Sequence, residues 1–512
     1  MFASASAAAL AVGFASQASA QNVFGGGATL PSQSNRELFN CFGADIRTAA
    51  NPFFPAGCTA PVNHPARFFY APTGSGGGLR AFALHDISAM GTPGGSNTVP
   101  YADNGAPTPS PLIGQNFAYP TIHFSNSESP LTPLGYPHPN LPGVVINNAP
   151  NQTLNCYYGV SQATGGLCTV DQRLIGGRPM VMPILSTTVG MVANFGGVSK
   201  TINLSRTSLC GIINGAITDW NNAQITADNG GVSVSGGVPR AIQVVVRADS
   251  SGTSFLFAQS LEAMCTPSLT SSAIYPAGFD YTSGVNTQPS WPLQHWRAQG
   301  NNGVAATVAD TPWSVGYLSP DFHRPQVTIT QAFGPVPVRD GNGVLIKTVA
   351  PTATTTSPAN FPAYQAAAIQ NISNYFRAPT AHGANRAMLD AAPPPAGAAR
   401  YNPVNWYNGA LPINPTHIDA YPASGFSWFL SYTCYNNSGS NAGVADAIRA
   451  YLSWYLRGTG NAAEILYANG FGIMPQPMMA ASRDQMLGTA DSRISIAGPG
   501  AINPNCTSVP GA

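Results

Sequence analysis

A two-lobed α/β protein is what this sequence predicts, and three observations carry the prediction. Its 512 residues exceed what one small core organises. Strand and helix signals alternate along it, as they do in α/β architectures. One junction, Arg247-Ala-Asp-Ser-Ser-Gly-Thr253, follows the β-rich run 242–246 and precedes a helical pattern over 255–264. It places a guanidinium, hydroxyls and free backbone N–H groups where a helix begins. A helix start carries unsatisfied donors and partial positive charge, so it favours an oxyanion. The arginine fork suits phosphate-like oxygens.

In chain order, residues 1–20 read as a signal peptide. Residues 7–14 form a short apolar core, and Ala18-Ser-Ala20 is a small-residue cleavage pattern before Gln21. No cysteine follows closely, so no lipid anchor is expected there. No later stretch is apolar enough for a transmembrane helix. Apolar runs at 188–195, 242–246 and 314–318 read as buried strands, and 209–213 as a short helix before Asp219-Trp220. The clearest helix spans 443–457, with Asn441 as candidate cap, a stripe of Val444, Ile448, Leu452 and Tyr455, and Gly458 as the stop. Three tracts rich in Pro, Gly, Ala and Asn, at 87–120, 133–176 and 379–415, read as insertions or linkers.

Composition narrows the partner. Charged residues make up 8% and net charge is +1, with two lysines, Lys200 and Lys347, and no basic run. That pattern excludes a nucleic-acid surface. Eight cysteines, an even number, fit an oxidising compartment and lack the paired spacing of zinc sites. Cys41 with Cys58 and Cys156 with Cys168 are spaced to close local loops. The histidines show neither HxH nor HExxH spacing, so no metal or other cofactor is expected.

Two more glycine-rich turns are expected to enter helices. Gly25-Gly-Gly-Ala-Thr-Leu-Pro31 precedes a helical stretch at 32–39, and Gly74-Ser-Gly-Gly-Gly78 precedes one at 79–84. Glycine lets backbone approach a ligand, while Thr29 and Ser75 add hydroxyls. A fourth piece, Ser125-Asn-Ser-Glu-Ser129, brings a carboxylate. A phosphate that keeps a proton donates a hydrogen bond to it; sulfate has no proton to give. A site built on a demanded hydrogen bond rejects an analogue lacking it by roughly 10⁴–10⁵. Glu128 is therefore the candidate selectivity filter; its bland alternative is a solvated loop glutamate.

The segments 25–31, 74–82, 123–131, 204–220, 242–257 and 316–322 resemble the periplasmic phosphate-binding proteins of ABC importers, most of all the secreted DING branch. Leu209-Cys-Gly-Ile212 with Asp219-Trp220, and Tyr317-Leu-Ser-Pro-Asp-Phe322, are the most branch-specific stretches, and 425–434 continues the likeness. The resemblance implies a type II periplasmic-binding-protein fold, two α/β lobes hinged around a phosphate cleft. It places lobe I at 21–195 plus 416–512 and lobe II at 196–415. It implies Thr29, Leu30, Ser75 and Glu128 on the first wall and Arg247, Ser251, Gly252 and Thr253 on the second. It also implies disulfides Cys210–Cys265 and Cys434–Cys506. Where the family carries aspartate in a Gly-Ser-Asp pattern, this chain has Asn126-Ser127-Glu128, one methylene longer.

The function expected is phosphate capture without chemistry, with arsenate as the near analogue. A monomer would dock, with phosphate enclosed, on an ABC permease from the periplasm. A secreted or surface DING-like protein uncoupled from transport is the alternative. A phosphohydrolase is a further rival, on the Asp249-Ser-Ser251 context alone; no G-x-S-x-G elbow occurs.

Overall fold

The structure is a computed structural model. It describes residues 21–43, 58–90, 98–99, 117–132, 136–137, 145–146, 176–196, 202–265, 287–322, 336–349, 364–371, 374–376, 381–391, 393–407, 415, 417, 420–488 and 493–512. The expected signal peptide and the pair Cys156 and Cys168 lie outside them, as does most of the tracts 87–120 and 133–176.

Two mixed sheets organise the chain. In the first, the strand order is Arg67–Ala71, Asn22–Gly27, Phe124–Ser127, Ser424–Tyr432, Pro179–Thr188 and Gly472–Ile473. The first three run parallel, and Ser424–Tyr432 lies antiparallel between Phe124–Ser127 and Pro179–Thr188. The second, nine-stranded sheet is centred on Gly190–Asn194, Ser314–Leu318 and Gln243–Arg247. Helices cover both, so the α/β expectation holds.

The chain passes between sheets at Val189. We expected one strand at 188–195; instead Pro179–Thr188 ends in the first sheet and Gly190–Asn194 begins the second. Val189 is fully buried, and its N–H donates to the Ala423 carbonyl at 2.7 Å. A run apolar on both faces hides such a crossing, because both halves are buried strands. The boundary expected at 195/196 therefore falls earlier. The second boundary moves too. Helices Ala381–Ala387 and Pro403–Tyr407, inside the tract 379–415 assigned to lobe II, pack against Pro179–Thr188 of the first sheet. Trp406 and Tyr407 are fully buried there, which a Pro/Ala-rich context concealed.

Two helix starts and one glycine run differ from expectation. The glycines 76–78 are not a turn before a helix but its first turn, within Ser75–Leu84. A Cβ on Gly78 would sit 2.5 Å from Gly27 Cα, so packing overrides glycine's weak helix propensity. Gly25–Gly27 likewise ends a strand rather than forming a turn. The helix expected at 443–457 spans Val444–Tyr455, with Gly443 at its cap and Asn441 in the preceding turn. Its four stripe residues are all buried as expected. The disulfides Cys41–Cys58, Cys210–Cys265 and Cys434–Cys506 are present. No helix among the described residues is long and apolar enough to cross a membrane.

Candidate functional site

Strand ends from both sheets converge on one place. Asn22–Gly27, Arg67–Ala71 and Phe124–Ser127 deliver Thr29, Ser75 and Glu128 just beyond their C-terminal ends. Gln243–Arg247 of the second sheet ends on Arg247 and leads to the Ser251 turn. Ligands of open α/β sheets gather at these carboxyl ends. Helices Ser32–Phe42, Ser75–Leu84 and Gly252–Met264 begin at the same place. A fourth helix, Gly300–Asp310, starts beside them.

The two sides meet through hydrogen bonds. Gly252 N donates to Ser75 Oγ at 2.9 Å, and Gly76 N donates to the Ser250 carbonyl at 3.0 Å. Glycines make this approach possible. A Cβ on Gly252 would lie 2.3 Å from both Glu128 Oε2 and Ser75 Oγ; one on Gly74, whose φ is +95°, would lie 2.6 Å from Asp249 Oδ2. Gly252→Ala is therefore expected to wedge the sides apart. Overpacking costs roughly 1–3 kcal/mol, so calorimetry should read an anion affinity weakened about ten- to hundredfold. Wild-type affinity would show that the sides need not meet.

Arg247 is buried, and four of its five N–H donors are engaged within the chain. Its Nε donates to Asp249 Oδ1 at 2.7 Å and its Nη2 to Asp249 Oδ2; Nη1 donates to Asn301 Oδ1 at 3.0 Å and Thr253 Oγ1 at 3.2 Å. Gly300 N, at the start of its helix, donates to Asp249 Oδ1 at 3.0 Å. The guanidinium is thus held in one orientation by a carboxylate that a helix start also supports. Thr253 Oγ1 accepts from Arg247 and from Asn301 Nδ2, at 3.3 Å. With both of those bonds accepted, its own proton can point at an anion. Ser251 caps the Gly252 helix by accepting from Ser254 N at 3.1 Å.

On the facing wall, Thr29 Oγ1 is buried and has no hydrogen-bond partner among the described residues. A buried hydroxyl of this kind costs about 1–3 kcal/mol unless something satisfies it. Leu30 is fully buried beside it, ahead of the Ser32 helix, where no side chain caps the start. Glu128 is fully buried, which removes the solvated-loop alternative. Its Oε2 accepts from Ser75 Oγ at 2.9 Å and its Oε1 from Ser427 Oγ at 3.0 Å. Burial pushes its carboxyl up to about 7, against the opposing pull of the two serines and Arg247.

Ser75, Glu128, Arg247, Ser251, Gly252 and Thr253 come together here, Thr29 lies beside the start of the Gly300 helix, and Leu30 follows it just ahead of the Ser32 helix. Three others, Asp249, Asn301 and Ser427, were not nominated as site residues. Asp249 was legible in principle, two residues from Arg247 and able to orient it. Asn301 and Ser427 carry no local signal, since each arrives from a distant segment.

Residues 183–374 match the PBP superfamily domain. A DING protein, and a high-affinity periplasmic phosphate-binding protein solved with phosphate bound at pH 8.5, each align with a TM-score of 0.57 at 22% identity, covering 96% of this chain and 99% of theirs. The chain has the fold of these structures along nearly its whole length. Among curated relatives, the chain is 28% identical over 344 residues to a phosphate-binding protein from an unknown prokaryotic organism, spanning 64% of this chain and 77% of the relative. It is 25% identical over 471 residues to alkaline phosphatase L of Pseudomonas aeruginosa PAO1, spanning 91% of this chain and 88% of that one.

Proposed function

We propose that this protein binds inorganic phosphate between its two sheets and releases it unchanged. One observation carries the reading: a buried, pre-oriented Arg247 and three helix starts share a junction with a buried carboxylate able to accept a proton. Thr29, Ser75 and the Leu30 backbone contact the anion from one side. Arg247, Ser251, Gly252 and Thr253 contact it from the other, and Glu128 accepts the hydrogen bond that phosphate or arsenate can give and sulfate cannot. Two lobes, divided at Val189 and again between 376 and 381, close on the ligand by the hinge motion common to binding proteins.

Calorimetry on the mature protein tests this. Phosphate and arsenate should bind, and sulfate should bind far more weakly; micromolar affinity corresponds to about 8 kcal/mol. No heat with phosphate would end the reading. The likeness to alkaline phosphatase L supplies a second arm, a chromogenic phosphate ester. Capture without chemistry predicts no turnover, and steady release of the chromophore would make this an enzyme. The likeness to a periplasmic phosphate-binding protein and the leader-like residues 1–20 support export to the periplasm or beyond. Coupling to an ABC permease is one role there, and release as a free DING-like phosphate binder is the other. Adjacent permease and ATPase genes would favour the first.

A further inference from the structure

One continuous chain of hydrogen bonds crosses the junction. Gly252 N donates to Ser75 Oγ at 2.9 Å, and Ser75 Oγ donates to Glu128 Oε2 at 2.9 Å. A serine hydroxyl has a single proton to give, so Ser75 cannot serve Glu128 and a bound anion at once. The Gly252 N–H, first donor of a 13-residue helix, is likewise committed within the chain. Glu128 Oε2 also lies against the Gly252 backbone, where even a methyl group would find no room. A carboxylate enclosed by two helix starts, near a guanidinium, is placed as a bound anion would be.

We propose that Glu128 is a tethered anion that competes with the ligand for the cleft. This rests on the phosphate reading of the site. With Ser427 holding Oε1, the carboxylate engages Ser75 and, through it, the helix start on the opposite side. An entering phosphate has to turn the Ser75 hydroxyl and the Gly252 N–H from Glu128 toward its own oxygens. Glu128 then accepts the proton of the phosphate rather than that of Ser75. The groups charged or titratable around it are Arg247, which attracts it, and Tyr70, whose hydroxyl burial and Glu128 both hold above its ordinary range. The extra methylene of glutamate is what gives the tether its reach.

Glu128→Asp keeps the carboxylate and shortens the reach, whereas Glu128→Ala removes the competitor and the filter together. Calorimetry at pH 8 with inorganic phosphate and sulfate would be run on wild type, both variants and Arg247→Ala, each checked for folding by thermal unfolding without anion. Releasing one charge-assisted hydrogen bond is worth about tenfold or more in affinity. The Asp variant should therefore bind phosphate about tenfold more tightly than wild type and still reject sulfate. The Ala variant should bind phosphate no more weakly than wild type and should also take sulfate. If wild type binds phosphate, Arg247→Ala does not, and both Glu128 variants bind it more weakly, the competition is overturned while the phosphate reading stands. If none of the four binds phosphate, both fall. Should the Asp variant not fold, the Ala variant decides alone on the same two anions.

Discussion

Arg247→Ala is expected to abolish measurable phosphate binding and to destabilise the protein by about 3–5 kcal/mol. The stability loss follows from Asp249, which is buried and would keep only the Gly300 N–H on Oδ1; removing one member of a buried ion pair leaves an uncompensated charge. Thr253 and Asn301 would each lose a donor as well. Urea unfolding reads the loss of stability and calorimetry the loss of binding. The two effects separate in a double variant. Arg247→Met with Asp249→Leu removes both charges, so most of the stability should return while binding stays absent. Binding retained by Arg247→Ala would remove the guanidinium from the site.

Glu128→Gln should stabilise the ligand-free protein, and the gain should grow with pH. The direction follows from linkage. Burial raises this carboxyl from 4.5 to about 7, so between those values the folded state holds a proton that the unfolded state has released. Stability from that proton is complete below about pH 4.5 and is lost as pH rises through 7. Glutamine cannot ionise and escapes the loss. A shift of this size corresponds to roughly 3 kcal/mol at pH 8, read as the difference between urea midpoints of variant and wild type at pH 5 and pH 8. Parallel stability curves across that range would show that Glu128 titrates normally.

Local chemistry was legible; long-range closure was not. The Arg247–Thr253 junction could be read because strand, turn, hydroxyls and helix lie within one short segment, and its helix begins only three residues earlier than expected, at Gly252. Thr29 and Ser75 were nominated from glycine-rich sequence, yet those glycines serve strand and helix packing as well as ligand approach. The burial of Glu128 had no such signature. It depends on Ser427, 299 residues away, and on Ser75 and Arg247 meeting from different sheets. The lobe boundaries were missed for a related reason: a strand that ends in one sheet and a strand that begins the next look alike when both are buried.

The single residue at which that change of sheet occurs bears on how quickly the protein can exchange its cargo. Val189 joins two strands that are each internal to their own sheet, so no slack chain absorbs a rotation there. Its N–H is anchored to Ala423, at the entrance to the central strand Ser424–Tyr432. On the two-lobed reading proposed above, opening would be a twist concentrated in a few backbone torsions at this joint rather than a drift of loops. Residence time would then be governed by the stiffness of this joint, independently of the contacts that set affinity.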